Sequence, residues 1–117
     1  LVPAPVVEDA EGAEVGIVAY GSTHWAIVEA RDQLAAAGIP TSYLRLRALP
    51  MNADVGRFLA RHRRVYVVEQ NRDAQMADLL RLEAPAEAAK VRPVLHYIGL
   101  PIDARSISDG ILTQEKA

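Results

Sequence analysis

The 117-residue chain contains no cysteine. Disulfides, thiolate zinc sites and protein-held iron–sulfur clusters are therefore excluded within it. It has no long apolar run either: its apolar stretches are strand-sized, too short for a membrane-spanning helix. No basic-then-apolar segment of the signal-peptide kind opens it. It lacks a strong charge of either sign. Net charge is −2 and the isoelectric point is about 5.9, so nothing global points to nucleic acid or to an anionic membrane. Internal repeats and low-complexity segments are also missing. What remains is a half-hydrophobic composition with a mean hydropathy of +0.04, ordinary for a soluble globule. The length suits one domain with a core of its own. A cytoplasmic location is the default reading.

The opening LVPAPVV reads as a cut inside a linker or strand. The expectation is a single domain over residues 1–117 that forms part of a larger subunit. VVEDAEGAEVGIVAYG then reads as two strands joined by a tight turn at Glu11-Gly12, an opening hairpin that puts one antiparallel strand at an edge. The second strand, from Val15, is continuously apolar, as a sheet covered on both faces requires. Ser22 or Thr23 can cap a helix over 24–37, stopped by Gly38. Its Ile27, Ala30 and Leu34 share a face, while Trp25 and Val28 fall on another, so two sides of this helix ask to be covered. TSYLRLRAL, from Thr41, alternates more and fits a strand nearer an edge.

Asn52 can cap a short helix whose Val55, Phe58, Leu59 and His62 follow helical spacing. The next buried strand is 65–69. Asp73 opens a helix that carries Met76, Leu79 and Leu80, most simply core residues, and Pro85 ends it. A strand is expected over 91–98. Ser106-Ile107-Ser108-Asp109 has capping-box form ahead of a short last helix. Strands alternating with helices around apolar central strands imply a mostly parallel sheet with helices on both faces.

Candidate chemistry is sparse. Gly21-Ser22-Thr23 can cradle an anion at a helix N-terminus. With one glycine, no GxGxxG and no Walker lysine, the same residues serve equally as a plain cap. Glu69-Gln70-Asn71 stand at the exit of a strand that must be buried. Either they stop the strand and start the helix, or they face something beyond the chain, because strand C-terminal ends are where open α/β sheets bind. His24, His62 and His96 share no ligand spacing, so no metal site is assigned. No Ser-His-Asp arrangement is apparent. Arg61-His62-Arg63-Arg64 reads as a solvated helix end whose cations complement the helix dipole, not as a nucleic-acid patch.

Taken together, AYGSTHWAIVEARDQLAAAGI, LRLRALPMN, VYVVEQNRDAQMADLLR and VLHYIGLPI resemble the transketolase C-terminal-like domain of 2-oxoacid:ferredoxin oxidoreductases, in particular the alpha subunit of the 2-oxoglutarate enzyme. The resemblance covers residues 15–111. Its most specific part is Glu69-Gln70-Asn71 with Gln75; Ala74 departs from the glycine usual in the family. It implies a three-layer α/β/α fold with a five-stranded sheet of order 1-3-2-4-5 and strand 1 antiparallel. The ends YGST and EQN would then flank one crevice at a switch point. It also implies a parent enzyme that decarboxylates a 2-oxoacid, forms an acyl-CoA and reduces ferredoxin. Thiamine diphosphate, Mg²⁺ and iron–sulfur clusters would lie in other domains of the alpha subunit or in the beta subunit. This domain would supply assembly surface, with no catalytic, cofactor-binding or metal residue of its own. The interface or crevice candidates are Gly21, Ser22, Thr23, Trp25, Glu69, Gln70, Asn71 and Gln75. The alternatives are a free-standing regulatory or small-ligand module and the same domain of another thiamine enzyme.

Overall fold

A computed structural model describes residues 6–20, 24–46, 53–69, 75–95 and 103–115. Five strands and four α-helices follow in the order β1 (Val6–Glu8), β2 (Val15–Tyr20), α1 (His24–Ala36), β3 (Thr41–Leu46), α2 (Ala53–Arg61), β4 (Arg64–Glu69), α3 (Gln75–Glu83), β5 (Val91–Leu95) and α4 (Ala104–Glu115). A 3-10 helix, Pro85–Lys90, precedes β5. Asn52, Asp73 and the expected continuation of β5 over 96–98 lie outside the described residues. No described helix is long and apolar enough to cross a membrane.

The strands form one sheet ordered β1-β3-β2-β4-β5. The pairs β3–β2, β2–β4 and β4–β5 are parallel, and β1 runs antiparallel to β3. This is the expected three-layer, transketolase C-terminal-like order. The expected opening hairpin is not formed. The turn at Glu11-Gly12 is present, with Gly12 at φ 74°, but β3 lies between the two strands it connects. A tight turn fixes chain direction locally; pairing is decided by which strand can fill the neighbouring place, and β3 supplies parallel ladder bonds to β2 along its whole length.

Two apolar layers hold the helices. On one face Ile17, Tyr43, Tyr66 and Val68 pack against Ile27, Ala30 and Leu34 of α1 and against Ala104, Ile107 and Ile111 of α4. On the other, Val18, Leu44, Val65 and Val67 pack against Val55, Phe58 and Leu59 of α2 and Ala77 and Leu80 of α3. The period-two side-chain alternation within β2 and β4 distributes these residues between the faces. Gly16 permits the closest approach: a Cβ there would stand 2.8 Å from Phe58 Cε1 and 3.1 Å from His62 Cγ.

The capping-box reading of Ser106–Asp109 is corrected. α4 begins at Ala104, and the Asp103 carboxylate accepts the Ser106 N–H at 2.7 Å. Asp103 is therefore the cap, and Ser106–Asp109 lie inside the helix. Ser108 is fully buried there and donates its hydroxyl to the Gln33 side-chain oxygen of α1 at 2.6 Å.

Candidate functional site

From β2 the chain runs through α1 to β3 on one side. From β4 it runs through α3 to β5 on the other. The C-terminal ends of β2 and β4 are neighbours, with Ala19 opposite Val68, so the sheet has its switch point between Tyr20 and Glu69. Gly21, Ser22, Thr23, Gln70 and Asn71 lie outside the described residues. Gln75 is the first residue of α3, and its side chain is outside them too.

Glu69 is the last residue of β4, beside the switch point. It is 6% exposed. Oε1 accepts the Met76 N–H at 2.6 Å and Oε2 accepts the Ala77 N–H at 3.0 Å. These are donors of the first turn of α3, which lack partners within the helix. A carboxylate there also meets the positive end of the helix dipole. The strand-end glutamate thus turns back to cap the helix that follows it.

Across the switch point, α1 starts with His24 and Trp25. His24 Nδ1 is 3.2 Å from the Tyr43 hydroxyl, which anchors this end of the helix to the sheet. Burial drives the Tyr43 phenol up to about 12, although the Arg45 and Arg31 charges act in the other direction. Trp25 meets the His24 ring edge to face at 5.0 Å between centroids and is 79% exposed. A tryptophan held at its base and open to solvent suits contact with another surface.

His62 is buried; its Nδ1 bonds the Phe58 carbonyl at 2.7 Å, and its ring packs on the Phe58 ring. That is a core histidine. Among the described residues, no group of three or more His, Cys, Asp or Glu side chains can hold a metal ion.

The basic run 61–64 is more than a solvated helix end. Arg61 pairs with Asp9 at 2.9 Å, and Arg63 with Glu14 at 3.4 Å and Glu115 at 2.7 Å; Arg64 pairs with Glu115 at 2.9 Å. The Tyr66 hydroxyl donates to the same Glu115 carboxylate. Burial works to raise the Glu115 pKa, but hydrogen bonds from Tyr66 and Arg63 and the charges of both arginines together hold it below the usual range. Burial first, and then the bond to Glu115, push the Tyr66 phenol up to about 12. Sequence reading missed this cluster. Its members lie about fifty positions apart, and no local spacing joins them.

No protein-family model matches the chain, and no curated protein gives a significant match. Solved structures do. The chain is similar to the 2-oxoglutarate:ferredoxin oxidoreductase from Magnetococcus marinus, a structure with 2-oxoglutarate, coenzyme A and succinyl-CoA bound, at 31% identity and a TM-score of 0.82. That match covers 96% of this chain and 20% of the other, so the chain spans about a fifth of its length. A split-gene transketolase in an inactive beta4 tetramer matches at 20% identity and a TM-score of 0.72, over 88% of this chain and 38% of that one. The alpha chain of a probable 2-oxoacid ferredoxin oxidoreductase from Thermoplasma acidophilum matches at 22% identity and 0.64, over 97% and 98%. The last two show fold alone. With the 1-3-2-4-5 sheet, its antiparallel first strand and the switch point between β2 and β4, these likenesses show that the chain has the transketolase C-terminal-like fold seen in those solved 2-oxoacid:ferredoxin oxidoreductases and transketolases.

Proposed function

We propose that the chain is the transketolase C-terminal-like domain of a 2-oxoacid:ferredoxin oxidoreductase alpha subunit, and that its task is assembly. The observation that carries this reading is the match to the Magnetococcus marinus enzyme: 31% identity along 96% of this chain but only 20% of that one. In this reading the parent enzyme converts a 2-oxoacid, which we assign as 2-oxoglutarate, with CoA to an acyl-CoA and CO₂ while reducing ferredoxin in the cytoplasm. Thiamine diphosphate with Mg²⁺ supplies the decarboxylation chemistry in other domains, and iron–sulfur clusters supply electron transfer. The described residues of this chain do not fit either group. It has no cysteine, and its described carboxylates and histidines do not converge on a metal.

The chain's own residues present surface. Trp25 on α1 and Leu82 on α3, in opposite outer layers, are 79% and 77% exposed. Burying an aromatic side chain of this size contributes several times what a rim contact does. In the assembled enzyme Trp25 packs against another domain or the beta subunit. Collisional quenching of this single tryptophan by acrylamide provides the test, with other tryptophans of the complex replaced by phenylalanine. Strong quenching in the free chain and protection in the complex are expected. Equal quenching in both states excludes Trp25 from the interface.

A further inference from the structure

The end of the sheet opposite the switch point carries a cavity of about 290 Å³. Arg63, Arg64, Lys90 and Arg92 line it with a single carboxylate, Glu87. Four cations against one anion stand out in a chain whose net charge is −2. The fold gathers them: Val65 pairs with Val91, so Arg64 and Lys90, each one residue earlier, arrive at the same end of adjacent strands.

Three of the four cations are partly neutralised. Arg63 and Arg64 share Glu115, and Lys90 pairs with Glu87 while donating to the Leu59 carbonyl at 3.0 Å. Arg92 differs. Its Nη1 donates to the carbonyls of Ala89 and Val91, and no carboxylate pairs with it among the described residues. The two carbonyls fix the guanidinium without cancelling its charge. Among the described residues, Nε and Nη2 make no hydrogen bond and can serve another partner.

We propose that this cavity binds a small phosphate-bearing anion, with Arg92 as its principal ligand and Arg64 and Lys90 supplying field. A guanidinium fork matches two phosphate oxygens, and one already oriented by the backbone loses little freedom on binding. The volume lies at the bottom of the range for small-molecule pockets, about 300–1,000 Å³. It suits a phosphate or diphosphate group, with any larger remainder left outside. The competing explanation is a charge placed on an edge strand to prevent strand addition. That role requires no saturable anion binding. The proposal is independent of the assembly reading.

Calorimetric titration of the 117-residue chain at constant ionic strength tests it, with inorganic pyrophosphate in one arm, adenosine diphosphate in a second and sulfate in a third. Pyrophosphate is expected to bind at one site per chain, and more tightly than sulfate. Equal affinity for adenosine diphosphate means that the site reads the diphosphate alone; tighter binding means that it also takes the nucleoside. Arg92→Gln should weaken pyrophosphate at least about tenfold, the scale of one lost charge-assisted bond. Glu87→Gln should tighten it, and a gain of that kind cannot arise from misfolding. No saturable binding up to about 10 mM, a range in which even weak specific sites register, overturns the proposal. So does an Arg92→Gln chain that binds like the parent.

Discussion

Glu69 closes a strand and opens a helix with one side chain. Its two carboxylate oxygens accept from Met76 and Ala77 at 2.6 and 3.0 Å inside a buried site. Glu69→Ala leaves those donors without their acceptor, and the loss should be about 1–3 kcal/mol, the cost of unsatisfied buried donors. Glu69→Gln keeps one acceptor oxygen and should lose less. Urea unfolding reads both as a lower midpoint at constant slope. Unchanged midpoints would show that the cap contributes nothing. Gly16 makes a different demand. The Phe58 ring, fully buried, stands 2.8 Å from where a Cβ would be, so Gly16→Ala must displace a packed aromatic ring. Overpacking of this kind costs about 1–3 kcal/mol. The same unfolding experiment checks it, and a neutral result would mean that the ring shifts freely. The sequence showed that Glu69 was unusual but not which way it faced, because its partners are backbone N–H groups seven and eight positions on.

At the scale of elements, the last turn of α4 is tied to the start of β4. Glu115 accepts from Tyr66, Arg63 and Arg64 together. The depressed Glu115 pKa stabilises the fold above the ordinary glutamate range, and that contribution disappears as acid takes the pH down through the lower folded value. Glu115→Gln should therefore flatten the acid limb of stability against pH. The raised phenols of Tyr66 and Tyr43 act with the opposite sign. Their contribution is complete below the unfolded value of 10.0 and falls away as pH rises to about 12. Phenolate absorbance should show both tyrosines titrating late, and Tyr66→Phe should remove one of them. Normal titration of both near 10 would contradict the burial described here. The helices themselves were legible from spacing: Val55, Phe58, Leu59 and His62 all face the core as their pattern requires. The start of α4 was not. Ser106-x-x-Asp109 imitates a cap, yet Asp103 holds the position because it has the helix's first free N–H groups within reach.

For the whole molecule, the question is what a domain of this kind lacks as well as what it shows. In the assembly reading the chain has no turnover alone and has no cofactor site for thiamine diphosphate at its switch point. Calorimetric titration of the Arg92→Gln chain, whose basic cavity no longer takes a diphosphate group well, with thiamine diphosphate and Mg²⁺ should give only dilution heats. Micromolar binding at one site per chain would place cofactor chemistry inside this domain. A control with Trp25→Ser should fold as stably as the parent, since the side chain is 79% exposed, while assembling less tightly. Equal affinity in assembly would move the contact elsewhere.

The sequence by itself determined the layers. Continuous apolar strands and helical spacing dictate a covered parallel sheet, because period-two and period-3.6 patterns bury the right faces only in that arrangement. Motif resemblance added the 1-3-2-4-5 order. Tertiary structure alone decided that Glu69 caps α3 and that cations from 63–64 and 90–92 meet at one end of the sheet. Those outcomes depend on contacts between residues far apart in the chain, and no local pattern of propensity or spacing encodes which distant partner a charge or a strand edge will find.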